Sequence, residues 1–447
     1  MIGLSYEGLL MSRGIFQRLQ LVWVFALAAS LTYADELPTA SPEVEGVSTD
    51  RLARLHTLAE QYVNQGKVAG IVTLVNRGGQ LIFKDTVGSR SISDKTPLKE
   101  SDLFRIYSMT KPITAVAAMQ LYEQGHFHMN DPITRWLPEL TSLEVLNADG
   151  TRVPADAAPT MQQLLSHTAG FSYGFDPRDP VDRAYQEADL WAAKDLDEFV
   201  NRVATLPLKF QPGTNWHYSI AVDLTGLIVQ RISGQRFDEY LAEHLFEPLD
   251  MVDTFFAVPE EKAHRFLPNH RWERTAGKVI VIDGLIPELG GRSSSRAMAD
   301  FSDVGLFSGG GGLVSTARDY MRFAEMLRAG GRLGDQRILG EKTLKYMTKN
   351  HLPATTGAVG LGESPLASRF KGFGFGLGFG LIEDPVRNGS LSSQGTFMWG
   401  GAAGTIFWVD PIEDLTVVSL IQLMASPWPL REDLRVAMYQ ALEASNE

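Results

Sequence analysis

The sequence predicts an α/β protein in which one sheet is assembled from both ends of the chain, covered by the terminal helices, with a mainly helical part inserted between. Three observations lead there. Strand-like runs cluster at residues 69–86 and again at 372–423, helical periods joined by Pro- and Gly-rich loops fill the middle, and an amphipathic helix stands near each end. No internal repeat interrupts this order.

In chain order, a helix is expected from about Asp50 to Gln65, where Leu52, Leu55, Leu58, Ala59 and Val63 give an apolar face. Ala69 to Val75 and Gln80 to Thr86 then read as two strands paired through the turn Asn76-Arg77-Gly78-Gly79. A third strand, Leu103 to Tyr107, runs into the nearly all-apolar helix beginning at Ser108. Further helices are expected over Thr160–His167, over Ser219–Ser233 ending at Gly234, and after a capping box of Ser315-Thr316 with Asp319. Residues 171–181 read as an aromatic loop, and 250–312 as irregular apart from a strand at Lys278–Ile282 and a Ser/Gly-rich stretch. The last part returns to strands at Gly372–Leu381, Phe397–Trp399, Thr405–Val409 and Leu415–Leu423, followed by a helix over Leu430–Leu442.

With 447 residues, 44% hydrophobic and 21% charged, the chain has room for a large core and the composition of a soluble globular protein. A formal charge of -12 without a basic cluster argues against nucleic acid and anionic membrane surfaces as partners. The absence of cysteine excludes disulfides, thiolate metal sites and cysteine nucleophiles. Compartment is read from the N-terminus instead. Arg13 and Arg18, the apolar stretch Leu21 to Leu31, and Thr32-Tyr33-Ala34 ahead of Asp35 follow the order of a cleavable leader, with Met11 a candidate start. The apolar stretch is too short to span a bilayer comfortably. The expectation is a leader over 1–34, a linker over 35–47, and a processed periplasmic or secreted domain over 48–447 without stable membrane insertion. The alternative is an uncleaved tail on a cytoplasmic protein.

The chemistry concentrates at Phe104-Arg105-Ile106-Tyr107-Ser108-Met109-Thr110-Lys111-Pro112. Residues three apart share a helix face, so the Ser108 hydroxyl and the Lys111 amine point the same way beside a helix N-terminus. An amine within hydrogen-bond reach can take a serine's proton and make it a nucleophile. A bare Ser-x-x-Lys is a frequent accident, a helix cap followed by a solvated lysine, so further features must support it. Tyr218, in a loop before a helix, supplies a phenol that can take and return a proton beside a lysine ammonium. Taken alone it is a packed aromatic. Trp399-Gly400-Gly401-Ala402 closes a strand on bare backbone, and the N–H groups of Ser108 and Ala402 are candidates for an oxyanion hole, each such donor being worth roughly 3 kcal/mol.

These three motifs, in this order and at these separations, resemble the serine β-lactamase and penicillin-binding-protein superfamily in its class C branch, and within it the bacterial family VIII carboxylesterases. Leu165-Ser166-His167-Thr168-Ala169-Gly170-Phe171 and Gly312-Leu313-Val314-Ser315-Thr316-Ala317-Arg318-Asp319 are also similar to stretches of that family. The resemblance implies a β-lactamase-like fold, with an antiparallel sheet in an α/β part (about 48–107 and 372–447) and a mainly helical part (about 108–371), and the site between them. It implies Ser108 as acylated nucleophile, Lys111 and Tyr218 as the proton-transfer pair, either of them the base, and Trp399, Gly400 and Gly401 as the substrate wall. Family lactamases carry Tyr-x-Asn and Lys-Thr-Gly, whose amide and ammonium hold the lactam; Ile220 and Trp399 stand there instead. Both are expected to offer apolar surface to a small neutral ester with a short acyl group.

Gly170-Phe171-Ser172-Tyr173-Gly174 matches a nucleophile elbow, but a helix precedes it and a Pro-rich loop follows, so Ser172 is expected to line the cleft rather than attack. Gly309–Gly312 and Gly374–Gly378 lack the context of phosphate cradles. His126 and His128 have no third ligand at metal spacing, and His167 and His217 read as structural, so neither metal nor cofactor is expected. The leading reading is a carboxylesterase; a lactamase, a D-alanyl peptidase, an acyltransferase and a non-enzymatic acylated sensor are the rivals. Sequencing the N-terminus of protein expressed with its own leader should find a start at or near Asp35; an intact N-terminus in the cytosol would contradict export.

Overall fold

The computed structural model of the protein describes residues 36–283, 301–353, 370–443 and 445–446. The chain divides into two compact units, Met1–Leu37 and Pro38–Glu447, and the architecture below is that of the second. The expected leader lies outside the described residues, as does 284–300 of the Ser/Gly-rich stretch. Within the expected linker, Ala40 N donates to Leu81 O, Leu81 N donates to Pro38 O, and Val47 is fully buried.

The first predicted helix is broken in two. A short turn, Thr49–Leu52, capped by Ser48, is followed by α1, Arg54–Asn64, which buries Leu55, Ala59 and Tyr62. Strands β1 (Gly70–Arg77) and β2 (Gln80–Gly88) form the expected hairpin. The third predicted strand contributes only β3 (Phe104–Arg105). It leads through a 3₁₀ turn, Tyr107–Met109, into α2 (Thr110–Glu123), which is buried from Thr110 through Met119. Helix α3 (Met161–Leu165) begins at a full capping box of Thr160 and Gln163. Helix α4 (Ala221–Ser233) ends, as its sequence implies, on Gly234 in the left-handed conformation. Lys278–Val281 pairs with His270–Glu273, which in turn takes Leu423–Met424 alongside. β4 (Val314–Ser315) pairs with β3 in a ladder separate from the main sheet. The Thr316 cap of α5 (Ala317–Arg328) is one-sided: its hydroxyl accepts from Asp319 N, whereas the Asp319 carboxylate turns to Asp253 N and Thr254 Oγ1. Gly372–Leu381, predicted as one strand, is a hairpin of β5 (Phe373–Phe375) and β6 (Gly380–Ile382). Then come β7 (Phe397–Gly400), β8 (Ile406–Asp410), β9 (Leu415–Leu420) and α6 (Leu430–Tyr439).

The main sheet has seven strands in the order β5-β6-β7-β8-β9-β1-β2, every neighbouring pair antiparallel. The two ends of the chain meet at β9 and β1, where Val72 faces Leu420 and Arg77 faces Leu415. All eight residues of β1 are buried, so both faces of the sheet are covered. α1 and α6 are tied by Tyr62 Oη donating to Asp433 Oδ2 at 2.6 Å, and α5 packs across β1, β8 and β9. The seam is clamped by Arg77, whose Nη2 lies 2.9 Å from Glu413 Oε2, whose Nε donates to Glu413 O, and whose Nη1 donates to Glu45 O. Both side chains of that ion pair are almost wholly buried, with 5% and 4% of their surfaces exposed. Removing one member leaves a buried charge without its partner. Arg77→Ala should therefore cost about 3–5 kcal/mol in denaturant unfolding, and Arg77→Met with Glu413→Leu should recover most of it; a loss under about 1 kcal/mol in the single variant would show that the pair does not clamp the seam.

Candidate active site

The chain reaches the site through a forced turn. Ile106 N bonds to Leu313 O at 3.1 Å, and Tyr107 then adopts a left-handed backbone with φ +45°. For a bulky residue that conformation costs about 1–2 kcal/mol, so its surroundings must hold it. They do: the ring is buried, and the hydroxyl accepts from Asn269 Nδ2 at 2.6 Å. Ser108 consequently sits half-buried in the 3₁₀ turn, one step before the α-helix proper in whose first turn it was expected. The three-residue spacing keeps its purpose. Lys111, in the first turn of α2, is only 1% exposed and donates from Nζ to Ser108 Oγ at 3.2 Å and to Gly310 O at 2.6 Å.

Aromatic rings close around that amine. Nζ stands 4.6 Å from the ring centre of Tyr218 and 5.0 Å from that of Tyr173. Tyr218 is half-buried at the entrance to α4, and the next residue, Ser219, is anchored by His167, whose Nδ1 accepts from Ser219 N at 3.3 Å. Burial, aided by the charge of Lys111, holds His167 well below the usual histidine range. His167 also takes a left-handed backbone, φ +57°, and packs its ring 4.8 Å from Tyr218. Its contacts are with the loop that carries Tyr218 and Ser219.

From the other side comes β7. Trp399 is buried and donates from Nε1 to the Tyr218 hydroxyl at 3.2 Å, so its polar edge is directed at the phenol and its face at Phe370 and Phe375. Gly401 lies flat against the turn before Ser108: a Cβ there would stand 2.3 Å from Ile106 O and 2.2 Å from Thr405 Oγ1. That approach brings the half-buried Gly400 and the exposed Ala402 to the same end of α2 as Ser108. Arg431, reaching in from α6, braces the turn by donating to Gly401 O, and to Thr405 O at 2.9 Å.

Two expectations are corrected. Ile220 is fully buried, because the residue two after Tyr218 caps α4 and turns into its core, so it presents no surface to a substrate. Ser172 does not line the cleft. It is fully buried, donates to Asp182 Oδ1 at 2.5 Å, and has His217 Nε2 3.3 Å away. The carboxylate rather than the imidazole receives its proton, Lys209 neutralises Asp182 at 2.6 Å, and burial together with Lys209 pushes His217 down to about 4. The cluster ties the aromatic loop to the body of the protein. His126 and His128 are exposed.

The structure adds partners that the motifs did not single out: Tyr173, Gly310 and Asp223. Asp223 was detectable as an acid within an otherwise apolar helical stretch; Gly310 carried no signal beyond its place in a glycine run.

Comparison with known proteins follows the same lines. The Beta-lactamase family pattern matches residues 55–442. Protein Rv1367c of Mycobacterium tuberculosis is 34% identical over 365 residues, covering 80% of this chain and 86% of that one. Esterase EstB of Burkholderia gladioli is 30% identical over 400 residues, covering 87% and 95%. Among solved structures, EstCE1, a hydrolase with promiscuous acyltransferase activity, superposes with a TM-score of 0.72 at 27% identity, over 88% of this chain and 99% of its own. The fold, the order of motifs and these likenesses agree: the chain belongs to the β-lactamase family, on the branch of the family VIII esterases.

Proposed function

We propose that the protein is a serine carboxylesterase that hydrolyses small neutral esters through an acyl-enzyme on Ser108. The observation that carries this reading is the Lys111 amine, buried and bonded to Ser108 Oγ, with Tyr218 beside it. Ser108 Oγ attacks the ester carbonyl carbon as its proton passes to the Lys111–Tyr218 pair; the N–H groups of Ser108 and Ala402 receive the oxyanion. The C–O bond to the alcohol breaks, the pair returns the proton to the departing oxygen, and water repeats the sequence to release the acid. The likeness to EstB and EstCE1 supports an ester as the acyl donor, and the promiscuous acyltransferase activity of EstCE1 makes an alcohol acceptor the second reading for the deacylation step.

The choice of a neutral ester over a lactam or peptide carboxylate follows from β7. Trp399 stands where lactamases place an ammonium, its N–H is directed at Tyr218, and Arg431 donates to backbone carbonyls. A carboxylate entering a water-poor cleft is strongly disfavoured unless a cation faces it, and neither Trp399 nor Arg431 supplies one. kcat/KM for p-nitrophenyl acetate or butyrate should exceed that for penicillins by at least ~10³, the factor that corresponds to roughly 4 kcal/mol of missing anion stabilisation. Penicillin turnover within about tenfold of the butyrate ester would put the lactamase reading first.

A further inference from the structure

Asp223 lies in the first turn of α4, one helical turn beyond Tyr218, on a helix buried from Ala221 through Val229. Its carboxyl is completely buried. A carboxylate there is tolerated only where donors occupy its oxygens. Ser308 Oγ and Gly310 N donate to Oδ1, the latter at 2.9 Å, and Tyr173 Oη donates to Oδ2 at 3.1 Å. These donors suit the ionised form. Burial raises the Asp223 pKa, and the foremost influence opposing that rise is the charge of Lys111.

The donors are also the surroundings of Lys111. Gly310, held through its N–H by Asp223, offers its carbonyl to Lys111 Nζ at 2.6 Å, and that same Nζ reaches Ser108 Oγ at 3.2 Å. Tyr173, held through its hydroxyl, lays its ring 5.0 Å from Nζ and 5.3 Å from the ring of Tyr218. The fit leaves no slack. A Cβ on residue 310 would stand 2.3 Å from Asp223 Oδ2 and 2.5 Å from Tyr173 Oη.

We propose that Asp223 is a positioning residue of the acyl-transfer site: its buried carboxylate seats Lys111 against Ser108 through Gly310 and Tyr173, and supplies the fixed negative charge facing that lysine. The inference rests on the reading of Ser108, Lys111 and Tyr218 as the site of acyl transfer. While the serine proton moves through the Lys111–Tyr218 pair, the preorganised carboxylate faces the charge on Lys111 without having to reorient. Asp223 acts through Lys111 and not on the substrate, so its contribution belongs to kcat and not to KM.

The test is Asp223→Asn, which keeps the shape and one acceptor oxygen but removes the charge. kcat for a p-nitrophenyl ester should fall ~10²-fold or more while KM stays within about threefold. A kcat within about threefold of the parent overturns the inference, as does a fall carried entirely by KM. A role in folding alone would lower the unfolding temperature and the yield of active centres, counted by burst titration, while sparing kcat per centre; that result also overturns it. Ser108→Ala is measured in parallel. Turnover surviving there sinks the acyl-transfer reading itself, whereas an inactive Ser108→Ala beside a normal Asp223→Asn sinks only the role of Asp223. Should Asp223→Asn fail to fold, Tyr173→Phe and Ser308→Ala each delete one donor and should lower kcat about 3–10-fold at constant KM; parental kcat in both refutes the proposal.

Discussion

The Lys111 amine is buried among aromatic rings, and its bonds to Ser108 Oγ and Gly310 O are the contacts around which the site is arranged. An amine in such surroundings is costly unless its protons have acceptors, and here those acceptors include the Ser108 hydroxyl. Each large element contributes to keeping it there. α2 carries it in a helix buried from Thr110 through Met119, α4 packs alongside with Tyr218 in the loop that leads into it, and the segment through Gly310 closes over the amine. The sheet enters through β7, whose glycine end lies against the carbonyl of Ile106. The strained turn at Tyr107 leaves Ser108 half-buried while the helix that follows stays in the core.

Trp399 joins the sheet to this group of rings. Its indole N–H donates to the Tyr218 oxygen, and its ring stacks on Phe370 and meets Phe375 at a right angle.

Local rules made the frame legible in the sequence. The hairpin at Asn76–Gly79 and the glycine after Ser233 are decided by residues near one another in the chain, and both stand where expected. The spacing of Ser108 and Lys111 is equally local, and Trp399-Gly400-Gly401 read correctly as a strand end on bare backbone. What escaped was decided at a distance. Lys111 meets Gly310 across 199 residues, and Asp223 meets Gly310 across 87, contacts that no periodicity encodes. Ile220 and Ser172 were misplaced for a related reason: motif position told which residues lie near the cleft, but burial by α4 and by the Asp182–Lys209 pair decided which way they turn. The half-formed cap at Thr316 is similar, since Asp319 finds better donors at Asp253 and Thr254 than in its own helix.

The central claim is that Ser108 is the residue acylated, and mass spectrometry after rapid acid quench of an ester reaction, or after labelling with a fluorophosphonate probe, tests it most directly. The expected result is a single covalent adduct on the peptide containing Ser108, absent from Ser108→Ala. An adduct on Ser172, or none at any serine while the ester is still being hydrolysed, would contradict it.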